Sequence, residues 1–217
     1  MSMNFGREQA LLRQRLTEHG TPERVTEQQA RFGAEIKCLG ASDDEARAAA
    51  ADVVERFPGM GRAQMAAFVR TLWGSKTHDL RAVGTHVLVL RAELLEAPDA
   101  PFVVTLLEQA HDDSFRARLA TEVLGTLVSK SKKLWKDLQQ LAAHEHPQLR
   151  LAAVQAAKRP CAADGDVFER FEKLAAPLLA SGDEALLGAV DEVLAAAAAK
   201  AADAVQAFAS EHGRELR

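Results

Sequence analysis

Nine basic residues between Asp112 and Pro160 carry the clearest chemical signal in this sequence. Arg116, Arg118, Lys130, Lys132, Lys133, Lys136, Arg150, Lys158 and Arg159 outnumber the acids of that stretch (Asp112, Asp113, Glu122, Asp137, Glu145) by nine to five. After Pro160 the balance flips to eleven acids against five bases. A basic segment inside a chain of net charge −4 is the footprint of a polyanion site, while the overall charge argues against a surface basic all over. Ser131 stands where it would cap a helix bearing Lys132, Lys133 and Lys136, bringing backbone N–H groups and cations to one terminus, as phosphate binding requires. Phosphate-backbone binding of that kind depends steeply on salt and tolerates any sequence. A solvated basic face with Trp135 packed in the core is the structural account of the same residues.

The carboxylates and sulfurs offer less. Asp112 and Asp113 sit at a helix start, where N-capping and the helix dipole explain them; Asp113 is the one carboxylate retained as a catalytic candidate. Asp191 and Glu192 fall in mid-helix and read as a solvated face. Cys38 and Cys161 are far apart with no Cys or His at ligand spacing, which points to a reducing compartment and to no metal site. His144 and His146 flank a turn without a metal-like partner set. Gly59-Met60-Gly61 lacks the strand-to-helix context of a phosphate loop, and no cofactor is expected. There is no run of about 18 apolar residues to span a membrane. The start, MSMNFGREQALLRQR, is charged throughout and lacks the apolar middle of a signal peptide, so a cytoplasmic location is expected.

The elements that must position these groups are helices. The chain has no Tyr and no alternating β-branched runs, and good helix formers dominate. Thr21-Pro22 reads as an N-cap followed by the first helical position, and Ser42-Asp43-Asp44-Glu45 as a capping box. Further breaks fall at 58–61, 74–75, 97–99, 111–113, 129–131, 146–147, 163–165 and 181–183. Between them lie segments of roughly 12–18 residues with apolar positions three and four apart, such as Leu119, Val123, Leu124, Leu127 and Val128. Eleven or twelve helices are predicted. Short helices on tight turns form antiparallel hairpins that must stack to bury their stripes, which predicts an all-α, α-α superhelix (solenoid) of HEAT-like antiparallel helix pairs, one domain over residues 1–217.

Leu39-Gly40-Ala41-Ser42, with Glu45, Arg47, Asp52, Val53 and Val54, resembles the opening motif of the AlkD-like family of bacterial alkylpurine DNA glycosylases. Arg70-Thr71-Leu72-Trp73, then His78-Asp79-Leu80-Arg81 and a helix ending in Leu90, is similar to the family's Arg-x-Leu-Trp helix and its successor. Residues 119–128, 143–154 and 186–194 fall where the family has later helices, so the resemblance runs from about residue 5 to residue 215. It implies a superhelix whose concave face binds duplex DNA, and excision of cationic alkylated purines such as 7-methylguanine and 3-methyladenine.

The family's chemistry uses a Trp-x-x-x-Asp pattern near residue 115, and this sequence departs from it. Pairing Phe115 with the Trp puts Leu119 at the Asp; pairing Asp113 with it puts Ala117 there. The family's second Trp falls at Asp191 or Glu192, and its aromatic before an Arg near residue 150 reads Gln148 and then Arg150-Leu151. An oxocarbenium-like state is stabilised by a nearby carboxylate, and a cationic base by flat aromatic rings. With Leu or Ala at the carboxylate, and Arg116 and Arg118 beside it, the sign of the local field reverses. The expectation is a duplex-DNA-binding protein without the standard base excision. The alternatives are a glycosylase with a rearranged site and a scaffold whose partners are proteins.

Overall fold

The computed structural model describes residues 3–214 and is helical nearly throughout them, with extended pairing confined to a single bridge between Lys37 and Thr77. Helix starts follow the predicted chemistry: Thr21 and Ser42 each accept a first-turn N–H on the side chain, and Pro22 takes the first helical position. Twelve α-helices lie among the described residues, gathered into two compact units that meet in sequence at Leu94 and Leu95. No described helix is long and apolar enough to cross a membrane.

The first unit holds α1 (Phe5–Glu18), α2 (Pro22–Phe32), α3 (Asp43–Arg56), α4 (Arg62–Gly74) and α5 (His78–Leu90). Helix α5 is its centre, buried at every residue from Asp79 to Leu88, with α3 and α4 against it. Its polar residues therefore need internal partners. Asp79 accepts the Leu39 and Ala41 N–H groups at 2.7 and 2.9 Å, holding the loop before α3. Arg81 donates to the Trp73 carbonyl at 3.1 Å and lies over the Trp73 ring. The His86 Nε2 is 3.0 Å from Asp43 Oδ1 at the start of α3. Gly40 has φ +77°, and a Cβ there would stand 2.6 Å from the Thr21 carbonyl oxygen, so only glycine lets this loop meet the α1–α2 turn. Helix α2 buries none of its residues and is held by polar contacts: Arg24 donates to Gly40 O, and Gln28 accepts from Gly40 N–H and donates to Ala41 O.

The second unit holds α6 (Ala100–Gln109), α7 (Asp113–Arg118), α8 (Gly125–Lys130), α9 (Trp135–Ala142), α10 (Pro147–Ala163), α11 (Phe168–Ala175) and α12 (Glu184–Glu211). Helix α10 lies at its centre, packed by α8, α9 and α12. The apolar run predicted as plain helix at 119–128 contains a π-helical stretch, Leu119–Leu124, in which Gly125 N–H reaches the Ala120 carbonyl five residues back. Gly125 also rests on α10, where a Cβ would lie 3.1 Å from the Ala156 carbonyl oxygen. Pro160 lacks the N–H that would otherwise occupy that carbonyl. Both tryptophans belong to the core, Trp73 in the first unit and Trp135 in the second.

Candidate nucleic-acid interface

A cleft of about 460 Å³ opens between the end of α6, the start of α7 and the α9–α10 turn, lined by Leu107, Glu108, Arg116, His144, Glu145, His146, Pro147 and Leu149. It joins the two helix starts, near residues 115 and 150, to which the resemblance assigns the family's chemistry. Under the pairing of Phe115 with the Trp the pattern positions are closed off, Phe115 being 1% exposed and Leu119 fully buried, whereas under the other pairing Asp113 is exposed and Ala117 half-buried. Phe115 meets His111 edge to face with centroids 5.5 Å apart. The turn is stiff. His144 Nδ1 accepts the His146 N–H at 3.0 Å, His146 Nδ1 caps α10 through the Gln148 N–H at 3.3 Å, and Arg150 donates to the carbonyls of His144 and Glu145 at 3.0 and 2.9 Å.

Each carboxylate considered from the sequence is engaged. Asp112 caps α7 by accepting the Ser114 N–H at 2.8 Å. Asp113 is exposed and ion-paired with Arg116. Asp191 pairs with Arg214, and Glu192 with Lys158 at 2.7 Å. Glu108 and Glu145 are the carboxylates that line the cleft, and sequence reasoning missed both as site residues. No local signal marks them, because Glu108 at a helix end and Glu145 in a turn, 37 residues apart, meet only in the folded unit. Among the described residues no group of three or more His, Cys, Asp or Glu side chains is placed to hold a metal ion.

The nine cations sit in different settings, some spent on partners within the fold and some exposed. Arg116 is a clasp, with its side chain only 11% exposed; the guanidinium donates to the Leu107 carbonyl at 3.3 Å, to Ala110 O and to Asp113, joining α6 to α7. Arg118 is half-buried, and exposed Lys130 donates to the Leu95 carbonyl at 3.3 Å. Ser131 precedes a three-residue 3₁₀ turn and makes no side-chain cap, so the predicted phosphate cradle at the start of α9 is not formed by its hydroxyl. Lys132 pairs with Asp164 at 3.1 Å, and its hydrogen bond holds the exposed Asp164 carboxyl below the usual range. Lys133, in the 3₁₀ turn before α9, and Lys136, on α9 away from its buried Leu138 and Leu141, are both exposed. Lys158 and Arg159 instead lie on the solvent-facing stripe of α10, where Leu151, Gln155 and Lys158 are half-buried and Arg159 and Ala162 exposed. There Lys158 reaches α12 through Glu192, while the Arg159 Cβ lies beside Gly125 of α8.

No curated protein matches the chain. The family model described as DNA alkylation repair enzyme matches it over residues 12–217, which takes in the Leu39–Ser42 loop, the Trp73 helix and the whole second unit. On that match over nearly its full length, the chain belongs to the DNA alkylation repair enzyme family.

Proposed function

We propose that this protein binds duplex DNA through cations of its second unit and does not excise alkylated purines by the carboxylate-assisted chemistry of its family. The observation that carries the second half is the apolar side chain at the carboxylate's place, buried Leu119 or half-buried Ala117 by the two pairings. Neither side chain offers charge to a developing oxocarbenium ion, and the guanidinium nearby, that of Arg116, opposes one. Asp113, the remaining candidate at the start of α7, is neutralised by that same arginine. Family membership and the basic segment support the DNA half. The binding is dominated by phosphate contacts, hence salt-sensitive and indifferent to sequence. HEAT-like pairing of the helices and the single-domain reading over 1–217 go with the same proposal.

A base-release assay on methylated DNA tests the catalytic half. The expected result is no 7-methylguanine above a heat-depurination blank. Release that disappears in Asp113→Asn would overturn it. One observation favours the second reading, excision from a rearranged site: Glu108 and Glu145 line the cleft. Release lost in Glu108→Gln or Glu145→Gln would establish that reading instead. A gel shift on plain duplex DNA at low and moderate salt tests the binding half, and absence of a shift at low salt would leave a protein-binding scaffold.

A further inference from the structure

We infer that Glu192, aided by Asp164, is a built-in competitor for phosphate that weakens the protein's grip on DNA. The inference rests on the DNA-binding reading above and concerns the regulation of the same surface.

The sequence separates its charges, basic before Pro160 and acidic after it, and the fold brings the two halves back together. Lys132 meets Asp164 at 3.1 Å across 32 residues, and Lys158 meets Glu192 at 2.7 Å across 34. Both pairs join a basic residue of the earlier segment to an acid of the later one. The four side chains are 56, 43, 39 and 65% exposed, so water and salt reach every member. Exposed pairs of this kind contribute little to folding stability. Their effect on an incoming polyanion is larger, because a phosphate approaching Lys158 meets the Glu192 carboxylate already in its place.

The position of the pair makes it consequential. Lys158 lies half-buried on the solvent-facing stripe of α10, and exposed Glu192 stands on α12, the helix packed alongside. Occupation of Lys158 by phosphate therefore means exchanging one oxyanion for another, with the displaced carboxylate left facing the DNA. The exchange needs no rearrangement of the backbone, since both side chains are flexible and solvated. Neutralising Glu192 removes the competitor and the repulsion together.

The test is DNA binding by fluorescence anisotropy on a labelled duplex, at several salt concentrations, for wild type, Glu192→Gln, Asp203→Asn, Lys158→Gln and Lys158→Gln/Glu192→Gln. Asp203 is exposed on the same helix beyond residue 201 and has no ion-pair partner among the described residues, so Asp203→Asn reports the effect of net charge alone. Glu192→Gln is expected to tighten binding on the order of fivefold, more than Asp203→Asn, and to steepen the salt dependence by about one released counterion. The gain is expected to vanish in the Lys158→Gln background. Equal gains in Glu192→Gln and Asp203→Asn, or a gain that survives Lys158→Gln, would overturn the competitor while leaving DNA binding standing. No binding by any variant at low salt would overturn the DNA-binding reading itself and the inference with it. Glu192→Gln is nearly isosteric at an exposed position, and matched thermal melts confirm that all variants are compared folded.

Discussion

Arg214 grips both carboxylate oxygens of Asp191, with its Nε 2.9 Å from Oδ1, although 23 residues separate them. A straight helix would place those residues about 35 Å apart along its axis, at 1.5 Å per residue. The contact exists because α12 turns back at Ala201, where φ −143° and ψ 46° break the helical course. Beyond that point Phe208 packs against Phe168 and Phe171, and Val205 is fully buried. No proline or glycine stands at the bend. The backbone of Gly165 presses against it instead: a Cβ there would lie 2.3 Å from the Lys200 carbonyl oxygen. The pair raises the Arg214 guanidinium above its ordinary range, chiefly through the hydrogen bond it donates to Asp191.

Arg214→Ala is therefore expected to loosen the segment after Ala201 more than it lowers global stability. The pair is partly exposed and worth on the order of 1 kcal/mol. Amide hydrogen exchange should speed up over residues 202–211 and stay unchanged in α10. Uniform exchange across the unit would show that the pair does not hold the fold-back.

Gly165→Ala should destabilise the second unit by about 1–3 kcal/mol, because backbone carbonyl and backbone Cα cannot both give way. Gly188→Ala makes the contrast, being mid-helix in α12 with no atom near an added Cβ. It is expected to be neutral or stabilising by up to about 1 kcal/mol. Urea denaturation of the two variants measures both.

In the first unit, Asp79→Ala leaves the N–H groups of Leu39 and Ala41 without their acceptor in a buried place. The expected loss is on the order of 3 kcal/mol. Asp79→Asn keeps one carbonyl oxygen and should cost less. Equal stability of all three proteins by denaturant titration would mean that water replaces the carboxylate at that loop.

Burial, with Asp164 adding a smaller repulsion, pushes the Cys161 thiol up to about 12, and burial followed by Asp79 pushes Cys38 to about 11. Both thiols ionise near 9 in the unfolded chain. Their raised values favour the folded state fully below that pH and lose the contribution as pH climbs through the folded values, so stability should fall from pH 9 upward. A disulfide-exchange reagent at pH 8 should find Cys161 unreactive until denaturant is added, while half-buried Cys38 reacts slowly.

The placement of the cations makes a last prediction. Charge reversal at Lys158 and Arg159, on the α10 stripe, should weaken duplex binding at least about tenfold, near one phosphate contact's share per residue. The same reversal at Lys133, in the turn before α9, and Lys136, on α9, should have a smaller effect. Gel shifts at fixed salt compare them, and the opposite order would assign DNA to α9.

The sequence by itself determined what depends on neighbours within a turn or two. Helix starts at Thr21 and Ser42, the breaks between helices, the all-α class and the core placement of both tryptophans follow from caps, glycines and 3.6-residue periodicity. The family was also legible, and Asp79 shows why: the motifs at 39–42 and 78–81 are two sides of one hydrogen-bonded joint. What only the tertiary structure decided are relations across tens of residues. No local pattern announces that α12 doubles back at Ala201, that Arg116 is spent clasping α6 to α7, or that Glu108 and Glu145 meet at one cleft. A basic stretch read along the sequence is divided among α7, α8, the turn before α9, α9 and α10, because each element turns its apolar face inward. The charge segregation read along the chain survives in a different form, as carboxylates of the second half seated on cations of the first.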